Sequence, residues 1–230
     1  MTGIVTFDPI WEEKYRNQHV QLYPWDQVVS FIFREAPRGR PRSDVHVLEI
    51  GCGTASNLWF AAREGFRVTG MDASPSAIAF AKRRFDVEGL AAELLEGDFT
   101  QPLPFAEGSI DLVIDRAALT CCGFSAARRA LGEINRVLKV NGRMLFNPYA
   151  DDHSSSTLGH PGDDGLVMDI HGGSLVGFGQ ICFYSQEMTT LAFAENWRIR
   201  SMTHLQLRDL AAPEPLRHTE WRVVAEKVGP

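Results

Sequence analysis

Val45-His46-Val47-Leu48-Glu49-Ile50-Gly51-Cys52-Gly53-Thr54-Ala55-Ser56-Asn57 is the stretch on which the fold turns. Its first six residues read as a buried strand, its glycines as a tight turn, and the residues from about Asn57 as a helix that Gly65 ends. Glycines at such a turn let a ligand approach the backbone, and the helix N-terminus beyond them presents unpaired amides. A plain strand-to-helix turn would carry the same glycines, so the surrounding sequence has to decide.

Downstream, the same unit recurs. Arg67 to Met71 reads as a second strand, followed by Ser74-Pro75, a capping hydroxyl with proline at the first helical position, and by Ile78, Ala81 and Phe85 on one helical face. Glu93 to Glu96 and Ile110 to Ile114 are the third and fourth strands, the latter preceded by the turn-rich Gln101 to Gly108. Ser125 is placed to cap a helix carrying Leu131, Ile134 and Leu138 on one face and closed by Asn141-Gly142, and Arg143 to Phe146 is the fifth strand. Strands separated by helices must lie parallel, with right-handed crossovers and helices on both faces. The fold class is therefore α/β.

The flanks differ. Upstream, Asp26 is placed to cap a helix with Val28, Val29, Ile32 and Phe33 on one face, stopping at Pro37. Residues 1–43 thus read as an N-terminal helical arm and 44–150 as the core. Asp151 to Gln180 is rich in Gly, Ser, Asp and His without periodicity, and 151–184 reads as an inserted lid. In 185–230, a helix from Ser185 to about Asn196 leads to strands Trp197 to Gln206 and Thr219 to Lys227, which can pair antiparallel.

Composition sets the outer bounds. At 230 residues, 44% hydrophobic and 23% charged, the chain suits one globular domain. A net charge of −6 argues against holding duplex nucleic acid by phosphate neutralisation. No run approaches the ~18 apolar residues of a spanning helix and no signal peptide opens the chain, so the expected location is the cytoplasm, away from membranes. Cys52, Cys121, Cys122 and Cys182 lack CxxC spacing, which suggests reduced thiols and no metal site.

Asp72 lies 21 residues after Gly51, at the end of the second strand, where a carboxylate accepts hydrogen bonds from both hydroxyls of a ribose. That supports an adenosine-containing ligand. A dinucleotide fingerprint would need glycine at position 56, and Ser56 stands there, so the dehydrogenase reading weakens.

These motifs together resemble those of class I S-adenosylmethionine (SAM) dependent methyltransferases over roughly Val45 to Lys227. The matching pieces are Val47 to Gly53, Gly70-Met71-Asp72-Ala73-Ser74, Glu96-Gly97-Asp98-Phe99, Ser109 to Asp115, Glu133 to Lys139 and Asn141-Gly142-Arg143. The resemblance implies a three-layer Rossmann-like sandwich whose seven-stranded, mostly parallel sheet has the order 3-2-1-4-5-7-6, strand 7 antiparallel. It implies SAM as cofactor, with Glu49, Gly51 and Gly53 framing the methionine end, Asp72 on the ribose, Ala73, Asp98 and Phe99 around the adenine, and Cys52 and Asn57 also among the cofactor-binding residues. Ala55 departs from the pattern, standing where many members have a third glycine.

An acid inside an apolar strand is costly unless paired, which favours a binding role for Glu49. The arm holds Trp11, Tyr15, Tyr23 and Trp25. Aromatic faces attract a sulfonium cation, and small-molecule members that this arm resembles close their site with such a cover, which points to Tyr15 and Trp25. Acceptor residues belong beyond the carboxyl ends of strands four and five: Asp115, Arg116, Leu119, Thr120, Asn147, Tyr149 and the lid. Arg116 is alternatively a clamp for the methionine carboxylate, and Asp115 is placed to contact cofactor or acceptor. His153 and His171 of the lid are the candidate bases, because imidazole titrates near neutrality. The expected partner is a small-molecule methyl acceptor, such as a sugar or secondary metabolite. A protein or RNA acceptor, or a SAM-binding module without transfer, are the alternatives. Oligomeric state is not legible.

Overall fold

In the computed structural model, which describes residues 8–212 and 216–229, the chain begins with α1 (Ile10–Arg16) and α2 (Asp26–Glu35) of the arm. The core follows as β1 (His46–Ile50), α3 (Ser56–Arg63), β2 (Arg67–Asp72), α4 (Pro75–Val87), β3 (Glu93–Glu96), β4 (Ile110–Arg116), α5 (Phe124–Val137) and β5 (Leu138–Asn147). Three short strands, β6 (His160–Pro161), β7 (Leu166–Met168) and β8 (Gln180–Cys182), precede α6 (Gln186–Ala192) and the terminal pair β9 (Trp197–Arg208) and β10 (Arg217–Lys227).

The main sheet has the order β3-β2-β1-β4-β5-β10-β9. Its first five strands are parallel, and β10 runs antiparallel to both β5 and β9. This is the expected mostly parallel sheet with an antiparallel seventh strand. Side chains alternate across a strand, so Val47 joins a core with α2, α3 and α4, while its neighbour Leu48 joins one with α5 and α6. All five residues of β1 are buried, as helices on both faces require.

Local signals were read correctly at Ser74, whose hydroxyl accepts from the Ala77 amide at 3.1 Å, and at Ser185, which accepts from Met188 at 3.1 Å. Elsewhere tertiary contacts overrode them. Asp26 is not a cap: Trp25 holds that position and Asp26 opens the helix, where its charge suits the dipole. Ser125 does not cap α5 either. The lid residue Asp164 does, accepting the Ser125 amide and hydroxyl, each at 2.8 Å. Asn141-Gly142 falls inside β5, with Asn141 at φ +63° and a shift in the β4–β5 register. α6 ends at Ala192, short of Asn196.

The region expected to be an aperiodic lid contains a small antiparallel sheet, β6-β7-β8. Strands of two or three residues are too short to show a period in sequence. The lid is seated by an apolar cluster of Tyr149, Ile170, Leu175, Ile181 and Phe183.

Candidate active site

The turn after β1 brings bare backbone to the carboxyl edge of the sheet. Gly51 has φ +59°, and a methyl group there would overlap the Ala118 Cβ; one on Gly53, at φ +52°, would overlap the Tyr15 hydroxyl. Only glycine meets both the left-handed backbone and the close approach. Ala55 also adopts the left-handed conformation, φ +56°, at the start of α3.

Asp72 ties this turn to β2. One carboxylate oxygen accepts the Gly53 amide at 2.8 Å and the other the Ser74 amide at 2.9 Å. Burial pushes its pKa up, while the two amides oppose the rise. Glu49 is also buried: its Oε1 accepts from the Asn57 amide nitrogen at 2.6 Å, and its Oε2 has no partner among the described residues. Burial, only partly offset by Asn57, raises its pKa to about 8.

The arm closes over this edge. The Trp25 amide donates to Asn57 Oδ1 at 3.0 Å, and the Thr54 hydroxyl donates to the Gln21 carbonyl at 2.8 Å. On α1, Glu12 accepts the Ser74 and Ser76 hydroxyls at 2.5 and 2.6 Å, and its pKa falls to about 2 because those two hydroxyls stabilise its charge. Glu12, Gln21 and Thr54 escaped the sequence reading. Their only signal is an acid in an aromatic arm and hydroxyls beside turns, and partners 33 to 64 residues apart are not visible in one dimension.

Beneath the arm lies a cavity of about 620 Å³. Tyr15, Trp25, Glu49, Gly51, Cys52 and Gly53 line it, together with Asn57, Asp72, Ala73, Asp98, Phe99 and Arg116. The guanidinium of Arg116 stacks 4.1 Å above the Trp25 ring and pairs with Glu220 at 3.4 Å. Burial pushes the Cys52 thiol well above its usual range, so Cys52 is a small wall residue and not a nucleophile.

Asp115 is the cofactor candidate that the fold keeps away from the wall. Its Oδ1 accepts the Ala118 and Leu119 amides at 3.0 and 2.8 Å, which pins the bend after β4, and burial raises its pKa to about 6. The sequence position at a strand end was correct, but the side chain turns back onto its own bend. That corrects Asp115 as a direct contact.

The cavity continues towards Trp11, Tyr149, Ser174, Leu175, Phe178 and His218. Of the expected acceptor residues, Arg116 and Tyr149 reach it. Leu119 and Thr120 are buried elsewhere, the Thr120 hydroxyl donating to the Cys182 carbonyl at 2.6 Å, and Asn147 is spent on the Trp221 carbonyl at 2.7 Å. His171 is exposed and lies outside the cavity, with its ring 6.3 Å from that of His160. His153 is buried one layer behind the wall, at 1% exposure, and burial first, then His218, lowers its pKa to about 4. The histidines that line the cavity are His19 of the arm and, beside Tyr149 and Ser174, His218 of β10; neither belongs to the 151–184 segment.

Residues 47–142 match the family model described as a methyltransferase domain. Over that stretch the chain is similar to methyltransferase domains. The chain is 37% identical over 139 residues to the malonyl-[acyl-carrier protein] O-methyltransferase of Erwinia pyrifoliae, covering 59% of this chain and 47% of the relative. The chain is also 36% identical over 155 residues to an 18S rRNA (guanine-N(7))-methyltransferase of Schizosaccharomyces pombe, covering 62% of this chain and 53% of the relative. The chain spans about half the length of such curated relatives. In fold, the chain matches a SAM-dependent methyltransferase of Methanosarcina mazei at a TM-score of 0.71, 19% identity, over 92% of this chain and all of the other. Among the described residues no helix is long and apolar enough to cross a membrane.

Proposed function

We propose that this protein transfers a methyl group from SAM to a small molecule enclosed beneath the N-terminal arm. One observation carries the reading: a single cavity runs from the glycine turn and its carboxylates to a second compartment around Tyr149 and His218. A module that only bound SAM would need no second compartment. A roof made by the arm favours an acceptor that fits inside over a polymer, although the relatives named above act on a carrier-protein-bound malonyl group and on rRNA.

The residues suit the cofactor. Glu49 Oε2 is a buried acceptor lacking a donor among the described residues, which an ammonium would supply, and such an orphan is otherwise costly. Gly51 exposes backbone, Asp72 offers oxygens to ribose hydroxyls, and Asp98 and Phe99 flank the space for adenine. Bound SAM supplies a methyl group on a sulfonium leaving group. Tyr15, Trp25 and Trp11 line the cavity and would exclude water around that cation, and a shared cavity would hold both reactants close, an effect worth about 7–11 kcal/mol when alignment is good. Calorimetry with S-adenosylhomocysteine tests the reading. One site per chain is expected; a chain that ignores this nucleoside but takes a nicotinamide or flavin compound overturns it.

A further inference from the structure

Behind the second compartment, three polar groups form a closed triangle. Ser174 Oγ lies 3.0 Å from His218 Nδ1 and 3.2 Å from His153 Nε2, and the two ring nitrogens are 3.2 Å apart. Proton positions follow from the partners. The Ser155 amide donates to His153 Nδ1 at 2.9 Å, so this neutral imidazole carries its hydrogen on Nε2. His218 Nδ1 has one lone pair. The arrangement that satisfies all three groups has His153 Nε2–H donating to Ser174 Oγ, and the Ser174 hydroxyl donating to His218 Nδ1.

Two consequences follow. A hydroxyl oxygen has two acceptor sites, so Ser174 keeps one for an incoming donor, and Ser174 and His218 both line the cavity. His218 then carries its own hydrogen on Nε2, which lies 3.9 Å from Glu220 Oε2. Burial works against the Glu220 charge, but His218, Arg116 and Arg222 hold its pKa down to about 2. It therefore faces His218 as a carboxylate. Asp152 adds a charge beside His153, and Arg116 and Arg222 flank Glu220. Around the relay the walls are flat and aromatic: the Tyr149 ring lies 5.6 Å from that of His218, and Phe178 packs edge-on against Trp11 at 5.1 Å.

We propose that Ser174 and His218 are a proton relay for an aromatic hydroxyl acceptor, a phenol, with His153 and Glu220 as positioning residues. This deepens the methyl-transfer reading and rests on it for the fate of the oxygen. The acceptor O–H bond breaks with its electron pair left on oxygen; the proton passes to Ser174 Oγ as the serine proton moves to His218 Nδ1. Glu220 faces the imidazolium so formed. The phenolate oxygen then bonds to the donor methyl carbon as the carbon–sulfur bond breaks, its electron pair remaining on sulfur. A phenol ionises too weakly near neutrality to attack well unaided, which is where a base contributes.

The probe is 4-nitrophenol, whose phenolate absorbs in the visible, added to the full chain at a pH below its own ionisation. Wild type is expected to bind it and develop the phenolate band. Ser174→Ala and His218→Gln should each cut the bound phenolate about tenfold, and Glu220→Gln should reduce it, at unchanged circular dichroism. Binding without the band, no binding at millimolar probe, or a band undiminished in both Ser174→Ala and His218→Gln overturns the relay. Calorimetry with S-adenosylhomocysteine on the same samples separates the two readings. Nucleoside binding without the band removes the relay alone, and the band without nucleoside binding removes methyl transfer and leaves the relay.

Discussion

Asn57 grips one oxygen of Glu49 at 2.6 Å and leaves the other without a partner among the described residues, deep in the wall of the cavity. The same Asn57 receives the Trp25 amide, so the arm, α3 and β1 meet at one side chain. The acid at the end of β1 is thereby fixed in orientation by the element that also anchors the arm.

From this comes a pH dependence. Glu49 titrates at about 8 in the fold and at 4.5 in an ordinary carboxyl, so between those values the native state holds a proton that the unfolded chain lacks. The Glu49 contribution to ligand-free stability therefore falls as pH rises from 4.5 to about 8. Glu49→Gln should flatten that portion of the urea midpoint against pH. It should also weaken S-adenosylhomocysteine binding about tenfold by calorimetry, because the ammonium loses a charged partner.

Asp72→Ala should lower stability and affinity together. It strips the partners from the Gly53 and Ser74 amides, at a cost of roughly 2–4 kcal/mol in urea unfolding, and removes the ribose contacts, at about a tenfold loss of nucleoside affinity. Asp72→Asn retains one acceptor oxygen and should lose less stability. Undiminished affinity in the alanine variant would defeat the ribose assignment.

Deleting residues 1–25 should leave the sheet folded and speed loss of bound S-adenosylhomocysteine in dialysis, because the Gln21 and Trp25 contacts over the turn disappear. Glu12→Ala should show a weaker form of the same effect. The Glu12 pKa is depressed, so its clamp on α4 is present above pH 4.5 and is lost as pH falls towards about 2. Retention equal to wild type in the deletion would reject the arm as a cover.

Asp164→Ala should destabilise the protein by about 1 kcal/mol, the usual value of a helix cap, as read from the urea midpoint. Because the cap comes from the lid, proteolysis should also reach the 151–184 segment sooner. An unchanged midpoint would mean that water replaces the carboxylate at the start of α5.

The parallel core was legible because its signals are local. A run such as Val47 to Ile50 is apolar enough to be covered on both sides, and Ser74-Pro75 announces a helix without help from elsewhere. The glycine turn, Asp72 and Asp98 could be assigned to one pocket because strand ends in a parallel sheet share an edge, so order along the chain implies proximity in space. Asp115 shows the limit: the strand end was right, yet two amides of its own bend turned the carboxylate from the cavity.

What the sequence by itself determined is the α/β alternation, the glycine turn at the carboxyl edge of the sheet and the acids beside it, since these follow from period, turn chemistry and spacing. Only the tertiary structure decided that His218 and not His153 or His171 borders the cavity, which residue caps α5, and how Glu12 fastens the arm. Each of those depends on side chains brought together across 39 to 64 residues, where packing selects the partner and no local pattern records it.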